Sequence, residues 1–223
     1  MKSTIAPLVL STATFGLMVG VVQNSQAATI PVLSTAQTGL GAAPGGWNLT
    51  NTVNGVGLTG SVHAPSSAAN AWFSNGTIVS NIANPSASRI TFNFNGPQTI
   101  ASLTFWNLGG SSTLQARGIS SVTIQAFVGG TFQTLSTPGF TFTAGPATAT
   151  SISGQTVTFA PVTTDRIRFI GLGRQGGGTT GGIGFSEVQF DDGIVPPAQI
   201  PEPSSLLALL AVGLGGVSLR KRI

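Results

Sequence analysis

From Arg89 onward, apolar residues recur at every second position in short runs. The runs are Arg89–Phe94 (RITFNF), Ile100–Leu108 (IASLTFWNL), Ser121–Val128 (SVTIQAFV), Thr131–Leu135 (TFQTL), Phe140–Ala144 (FTFTA), Gln155–Phe159 (QTVTF), Asp165–Leu172 (DRIRFIGL) and Ile183–Phe190 (IGFSEVQF). A strand points successive side chains to opposite faces, so each run predicts a strand with one buried face. Val122, Ile124 and Ala126 share one such face; Ile167 and Phe169 share another, with Arg166 and Arg168 opposite. Gly129-Gly130 lies between two runs and predicts a tight hairpin. Gly, Pro, Asn and Ser separate the other runs. No segment between the two ends has a helical period, and no strong internal repeat is present. The pattern predicts an all-β sandwich or barrel.

The two ends follow other rules. Lys2 precedes an apolar stretch from Ile5 to Val22, and NSQAA follows, with small residues at Ser25 and Ala27. This predicts a secretory signal helix over residues 1–27, cleaved between Ala27 and Ala28. The competing reading is a retained membrane anchor. At the other end, Leu206–Leu219 is a 14-residue run without a charge. A full span needs about 20 residues. With Ser204 and Ser205 in the interface and a basic end that snorkels, residues 204–219 predict a short transmembrane-like helix. Gly213, Gly215 and Gly216 weaken that helix or give it a close-packing face. Arg220, Lys221 and Arg222 act as the membrane stop and keep the terminus cytoplasmic. Upstream, Pro196, Pro197, Pro201 and Pro203 exclude helix and central strand. Residues 193–200 are therefore an extended linker and 28–192 a single sandwich domain, long enough for one core.

Composition narrows the function. Only 6% of residues are charged and there is no Cys, against the ~25% charged residues of ordinary soluble domains. Disulfides, thiol catalysis and thiolate metal sites are excluded. The formal charge of +4 belongs to the ends, at Lys2, Arg220, Lys221 and Arg222. Between them Arg89, Arg117, Arg166, Arg168 and Arg174 balance Asp165, Glu187, Asp191, Asp192 and Glu202. No basic stripe is left to bind nucleic acid.

Catalytic chemistry has little to work with. His63 is the single histidine, so neither a zinc site nor a Ser-His-acid triad has its usual parts. No pair of acids falls on facing loops, as glycoside hydrolysis would need. Gly171–Gly182 is glycine-rich but precedes a strand rather than a helix, which makes it a loop and not a phosphate cradle. The chain reads as a non-enzyme. Glu187 is expected to pair with Arg166 or Arg168 on an adjacent strand, and Trp106 to pack in the core. Trp47 and Trp72 lie in loop-like surroundings, where an exposed indole face stacks on a sugar ring. They are the first candidate ligand-binding residues, with His63, Arg117 and Arg174 behind them. The competing reading has both tryptophans capping the ends of the sandwich.

Two resemblances add to this. PEPSSLLALLAVGLGGVSLRKR, from Pro201 to Arg222, resembles the PEP-CTERM sorting signal of Gram-negative bacteria. It has the Pro201-Glu202-Pro203 triplet, a transmembrane-like helix and a basic end, in that order; Ile200 stands where Val is common. The resemblance implies that residues 201–223 are a sorting signal. It further implies recognition by an exosortase near the triplet, anchoring in the inner membrane through the C-terminal helix before processing, and then the cell surface or an extracellular matrix of exopolysaccharide and biofilm. Within the domain, Ala69 to Asp191 resembles a discoidin-type (F5/8 type C, galactose-binding-like) domain. Trp106-Asn107 matches its Trp-Asn strand end and Arg117-Gly118 its Arg-Gly. Ala160–Phe169 and Phe185–Phe190 match its last two strands. This implies an antiparallel jelly-roll β-sandwich. The family's acidic loop residues are absent from Ser66–Gly76 and Leu108–Gly118, so no cofactor is expected. Asp191 and Asp192 are the carboxylates left for a structural calcium, which wants 6–8 oxygen ligands. The expectation is an exported, non-enzymatic protein that binds or organises extracellular polysaccharide. The alternative is a structural surface component without a small ligand. An ice-binding surface is a minor further reading, suggested by the Thr-rich stretch Phe140–Thr143.

Overall fold

A computed structural model describes residues 28–41, 44–76, 86–137 and 139–193. The signal segment 1–27, the linker beyond Gly193, the Pro201-Glu202-Pro203 triplet, the helix over 204–219 and the basic end lie outside the described residues.

The described chain is built almost wholly of antiparallel strands. In order these are β1 (Thr29–Ile30), β2 (Val32–Thr38), β3 (Leu58–Thr59), β4 (Val62–His63), β5 (Trp72–Phe73) and β6 (Arg89–Asn107). Then come β7 (Ile119–Val128), β8 (Thr131–Thr134), β9 (Phe140–Thr141), β10 (Ile152–Ser153), β11 (Gln155–Arg174) and β12 (Gly184–Asp191). A single 3-10 turn covers Leu49–Thr52.

Two long strands make the sandwich. β6 joins the predicted runs at 89–94 and 100–108 into one strand, and β11 joins 155–159 with 165–172. They pair with each other along their lengths, with register breaks between Thr158 and Val162 and between Thr164 and Arg166. A bulge bends a strand and steepens its twist. On one side of the bend, β2 flanks β6 through Thr35↔Phe92, and β7 flanks β11 through Phe169↔Ile124. On the other side β12 flanks β6, through Val188↔Phe105 and Phe190↔Leu103. The two layers face each other. Phe92 of the first lies 5.2 Å from Phe190 and 6.4 Å from Phe185 of the second, ring centre to ring centre, and 5.0 Å from Phe169 within its own layer. The core is this aromatic seam with Ile90, Leu103, Phe105, Ile124, Ile167 and Val188 around it. The fold is an antiparallel jelly-roll-type β-sandwich, and the period-two pattern marks its inner faces.

β8 continues β7 through Gly129-Gly130, at φ 60° and 85°. Both values are positive, as the tight hairpin turn requires and glycine permits. A small sheet of β10, β4 and β3 packs against β6 near Trp106. Trp106 lies beneath it, 2% exposed, and donates its indole N–H to Ser61 O at 3.1 Å.

Two expectations are corrected. A six-residue helix, α1 (Ser112–Arg117), occupies the segment read as plain loop. It spans under two turns and so leaves no periodicity; Ser111 caps it by accepting from Leu114 N–H at 3.2 Å. Glu187 does not pair with Arg166 or Arg168. β6 lies between β12 and β11, so Glu187 is not on a strand next to either arginine. Arg166 instead meets Asp165 at 3.2 Å and stacks on Phe127, while Arg168 donates to Gln125 Oε1 at 2.6 Å and lies over Phe132.

Candidate functional site

The rim where β6 ends and β12 begins gathers loops from four parts of the chain. Asn107, the last residue of β6, ties three of them together. Its Oδ1 accepts from Leu108 N–H at 3.0 Å and Ile119 N–H at 2.8 Å. Its Nδ2 donates to Ile119 O at 2.7 Å and Thr143 O at 2.9 Å. This buried amide fixes where α1 leaves and where β7 begins. Asn51 does the same for the preceding loop: its Nδ2 donates to Ala68 O at 2.8 Å and Gly46 O at 3.0 Å. Trp47 is thereby placed at the rim, its N–H on Pro44 O at 3.1 Å.

On this frame sits an aromatic and cationic cluster. The Trp47 ring meets the Phe73 ring edge-on, centre to centre 4.5 Å, at 64°. The Arg117 guanidinium, from the last turn of α1, lies over the Phe73 ring with Cζ 4.6 Å from its centre. Ala71, Leu108 and Leu114 pack beneath. Phe73 is buried, whereas Trp47 and Arg117 are half-buried and keep part of their surface in water. An indole edge and a guanidinium that share one apolar floor offer stacking surface and hydrogen-bond donors together.

The other candidates fall elsewhere. Trp72 is fully buried: in β5 it pairs with Phe185, and its ring packs 5.7 Å from the Phe185 ring. It offers no stacking face at the rim, because the two-residue strand carries its ring into the core. His63 is equally buried, in β4. Its Nδ1 meets Ala64 O at 2.6 Å and its Nε2 meets Val56 O at 3.1 Å. Burial pulls its pKa below the ordinary 6.5, against the pull of those carbonyls. The ring lies against Gly57, at φ 99°, where a Cβ would come within 2.8 Å of the imidazole. His63 is thus a part of the packing of the small sheet. Arg174 is half-buried and turned inward on its own loop: Nη1 donates to Thr180 O at 2.9 Å and Gly177 O at 3.1 Å. It holds the glycine-rich segment in place next to α1, where Gln175 N–H reaches Gly118 O and Gly176 N–H reaches Ala116 O, both at 2.8 Å.

Glu187 is 1% exposed on β12. Its Oε1 accepts from Gly55 N–H at 3.0 Å and its Oε2 has no partner among the described residues. Burial pushes its pKa up to about 8, although the Gly55 N–H favours the ionised form. Asp191, at the opposite rim, accepts from Thr29 Oγ1 at 3.4 Å, and burial raises its pKa. Among the described residues no three His, Cys, Asp or Glu side chains converge.

Phe73 and Asn107 were not among the sequence-based candidates. A buried Asn closing an apolar strand was the available signal for the second; nothing local singled out the first.

The described region is therefore an antiparallel β-sandwich with one rim built around Trp47, Phe73 and Arg117. Beyond that region, residues 199–222 match the PEP-CTERM protein-sorting motif. A motif of this kind implies export, with anchoring through the C-terminus before exosortase cleavage. No curated protein matches the chain in sequence. Solved structures similar to it include CpGH89CBM32-5 from Clostridium perfringens in complex with GalNAc-beta-1,3-galactose. That chain is 16% identical, with TM-score 0.49, over 74% of this chain and 99% of that one. The GH31 CBM32-2 bound to GalNAc is 14% identical, with TM-score 0.47, over 71% and 97%. Chitosan-binding module 1 from the chitosanase/glucanase of Paenibacillus sp. IK-5 is 18% identical, with TM-score 0.44, over 74% and 98%.

Proposed function

We propose that the chain is an exported, non-enzymatic carbohydrate-binding protein. In this reading the PEP-CTERM signal sorts it to the cell surface or matrix, and its sandwich engages extracellular polysaccharide there. The observation that carries the reading is the partly exposed Trp47 set beside the Phe73–Arg117 pair on a rim fixed by Asn51 and Asn107. Trp47 supplies the stacking surface. Arg117 supplies donors to ring oxygens or hydroxyls, its plane held by Phe73. Neither group performs bond chemistry.

The test is calorimetric titration of residues 28–193 with exopolysaccharide from the producing bacterium. Trp47→Ala is expected to weaken binding at least tenfold, or about 1.4 kcal/mol. Because the ring also packs against the Phe73 cluster, the unfolding midpoint of the variant is expected to fall, and affinities are compared at a temperature where both proteins are folded. Unchanged affinity in Trp47→Ala would remove the rim from the reading. Absence of binding in the wild type would favour the structural surface component instead.

A further inference from the structure

An open recess lies between β2 and the Leu49–Thr52 turn. It has a volume of about 390 Å³ and is lined by Thr35, Ala36, Gln37, Asn48, Leu49, Thr50 and Trp72. That volume falls within the range of small-ligand sites, roughly 300–1,000 Å³. Strand alternation separates it from the rim: Phe73 joins the cluster under Trp47, whereas its neighbour Trp72 belongs to the main core and borders the recess.

Two of the lining residues carry an unused polar atom. Trp72 Nε1 and Gln37 Oε1 are buried and have no hydrogen-bond partner among the described residues. Gln37 Nε2 is already engaged, donating to Gly41 O at 3.0 Å, which identifies Oε1 as the free end of the amide. An orphaned buried polar atom is costly, of order 1–3 kcal/mol. Here one orphan is a donor and the other an acceptor, and both belong to residues that line one recess. The chemistry of a matching ligand follows. A hydroxyl both donates and accepts, so a polyol satisfies both atoms. A carboxylate accepts only and would meet Gln37 Oε1 unpaired. An ammonium donates only and would leave the indole N–H unpaired. Among the described residues no charged side chain lines the recess, and Thr35, Asn48 and Thr50 add hydroxyl and amide groups to its wall.

We infer that the recess between β2, the Leu49–Thr52 turn and Trp72 is a second binding site that takes a neutral, polyhydroxylated ligand of monosaccharide size. It is distinct from the rim site and stands whether or not the rim binds sugar.

The three tryptophans of the chain make the test selective. The full chain, carrying 15N in its indoles and held in detergent micelles, gives three N–H signals. Those of Trp47 and Trp106 are assigned by loss in Trp47→Phe and Trp106→Phe. Glucose, galactose and mannose are titrated as neutral probes, with glucuronate as the carboxylated counterpart. The Trp72 signal is expected to shift saturably with at least one neutral hexose. Glucuronate should bind about tenfold more weakly, and Gln37→Met should weaken the hexose by about tenfold. An unmoved Trp106 signal shows that the variant has kept its fold. The inference is overturned if no neutral hexose moves the Trp72 signal, if glucuronate is as effective, or if Gln37→Met leaves the titration unchanged. Movement of Trp47 alone also overturns it while supporting the rim site; movement of Trp72 alone supports it and counts against the rim.

Discussion

Glu187 makes the stability of this domain fall as pH rises through neutrality. Its carboxyl is buried, with one oxygen on Gly55 N–H and the other without a partner among the described residues, and burial pushes its pKa from 4.5 to about 8. Below 4.5 both the folded and unfolded chains hold the proton. Between 4.5 and about 8 the folded chain keeps it and the unfolded chain does not, so folding takes up one proton. Stability then falls by about 1.4 kcal/mol per pH unit. Over that interval the loss amounts to about 5 kcal/mol, and above pH 8 it stops growing. Whole domains are stable by only about 5–15 kcal/mol, so the effect is large. The Glu187→Gln variant keeps the shape of the neutral side chain and removes the ionisation. Urea unfolding of both proteins from pH 4 to 9 isolates the group, because contributions from His63 and Asp191 cancel in the difference. The two should be about equally stable near pH 4. The variant should gain on the wild type steadily and level off near pH 8. A difference that stays constant across the range, or a wild type that is the more stable at pH 8, would refute the argument that burial holds this carboxyl neutral.

Other expectations follow from single contacts. Asn107→Ala strands the N–H groups of Leu108 and Ile119 and the carbonyl of Thr143 inside the rim, and should cost about 3 kcal/mol or more. A thermal melt would read this as a drop in Tm of at least about 6 °C for a domain of this size. Phe92→Ala removes the ring that touches Phe169, Phe185 and Phe190, and should cost about 3–5 kcal/mol in the urea midpoint. Deleting residues 199–223 should move the protein from the membrane fraction into the medium, as followed by immunoblotting; continued retention at the membrane would show that the sorting motif is not what anchors it.

Much of the fold was legible because burial in a sandwich leaves a period of two. The inward residues of β6, β7, β11 and β12 are the ones the pattern picks out, down to Ile124 and Phe169. What was not legible lacks that signature. β2 is a strand with no buried residue, so its sequence VLSTAQT carries no clean alternation. The continuity of β6 through Asn95-Gly96-Pro97 depends on its partners, since the segment itself reads as a turn. α1 is too short to show a helical period.

The site shows the same division. The partly exposed positions of Trp47 and Arg117 were accessible to reasoning because a large aromatic and a cation in a polar, glycine-rich setting tend to stay near water. Trp72 sits in an equally polar stretch, yet two backbone pairings with β12 take it into the core. That difference is set by the order of strands in the sheet, and a single chain does not record which strands become neighbours. Glu187 illustrates the cost of guessing. Opposite charges on consecutive strands look like partners, but β6 comes between them, and the acid is left to settle its charge by protonation. The same neighbour order brings Gln37 and Trp72, 35 residues apart in sequence, to one recess. Their unused donor and acceptor are visible only once that order is known. The candidate binding chemistry proposed for this chain therefore lies less in conspicuous residue types than in polar atoms left without a partner among the described residues.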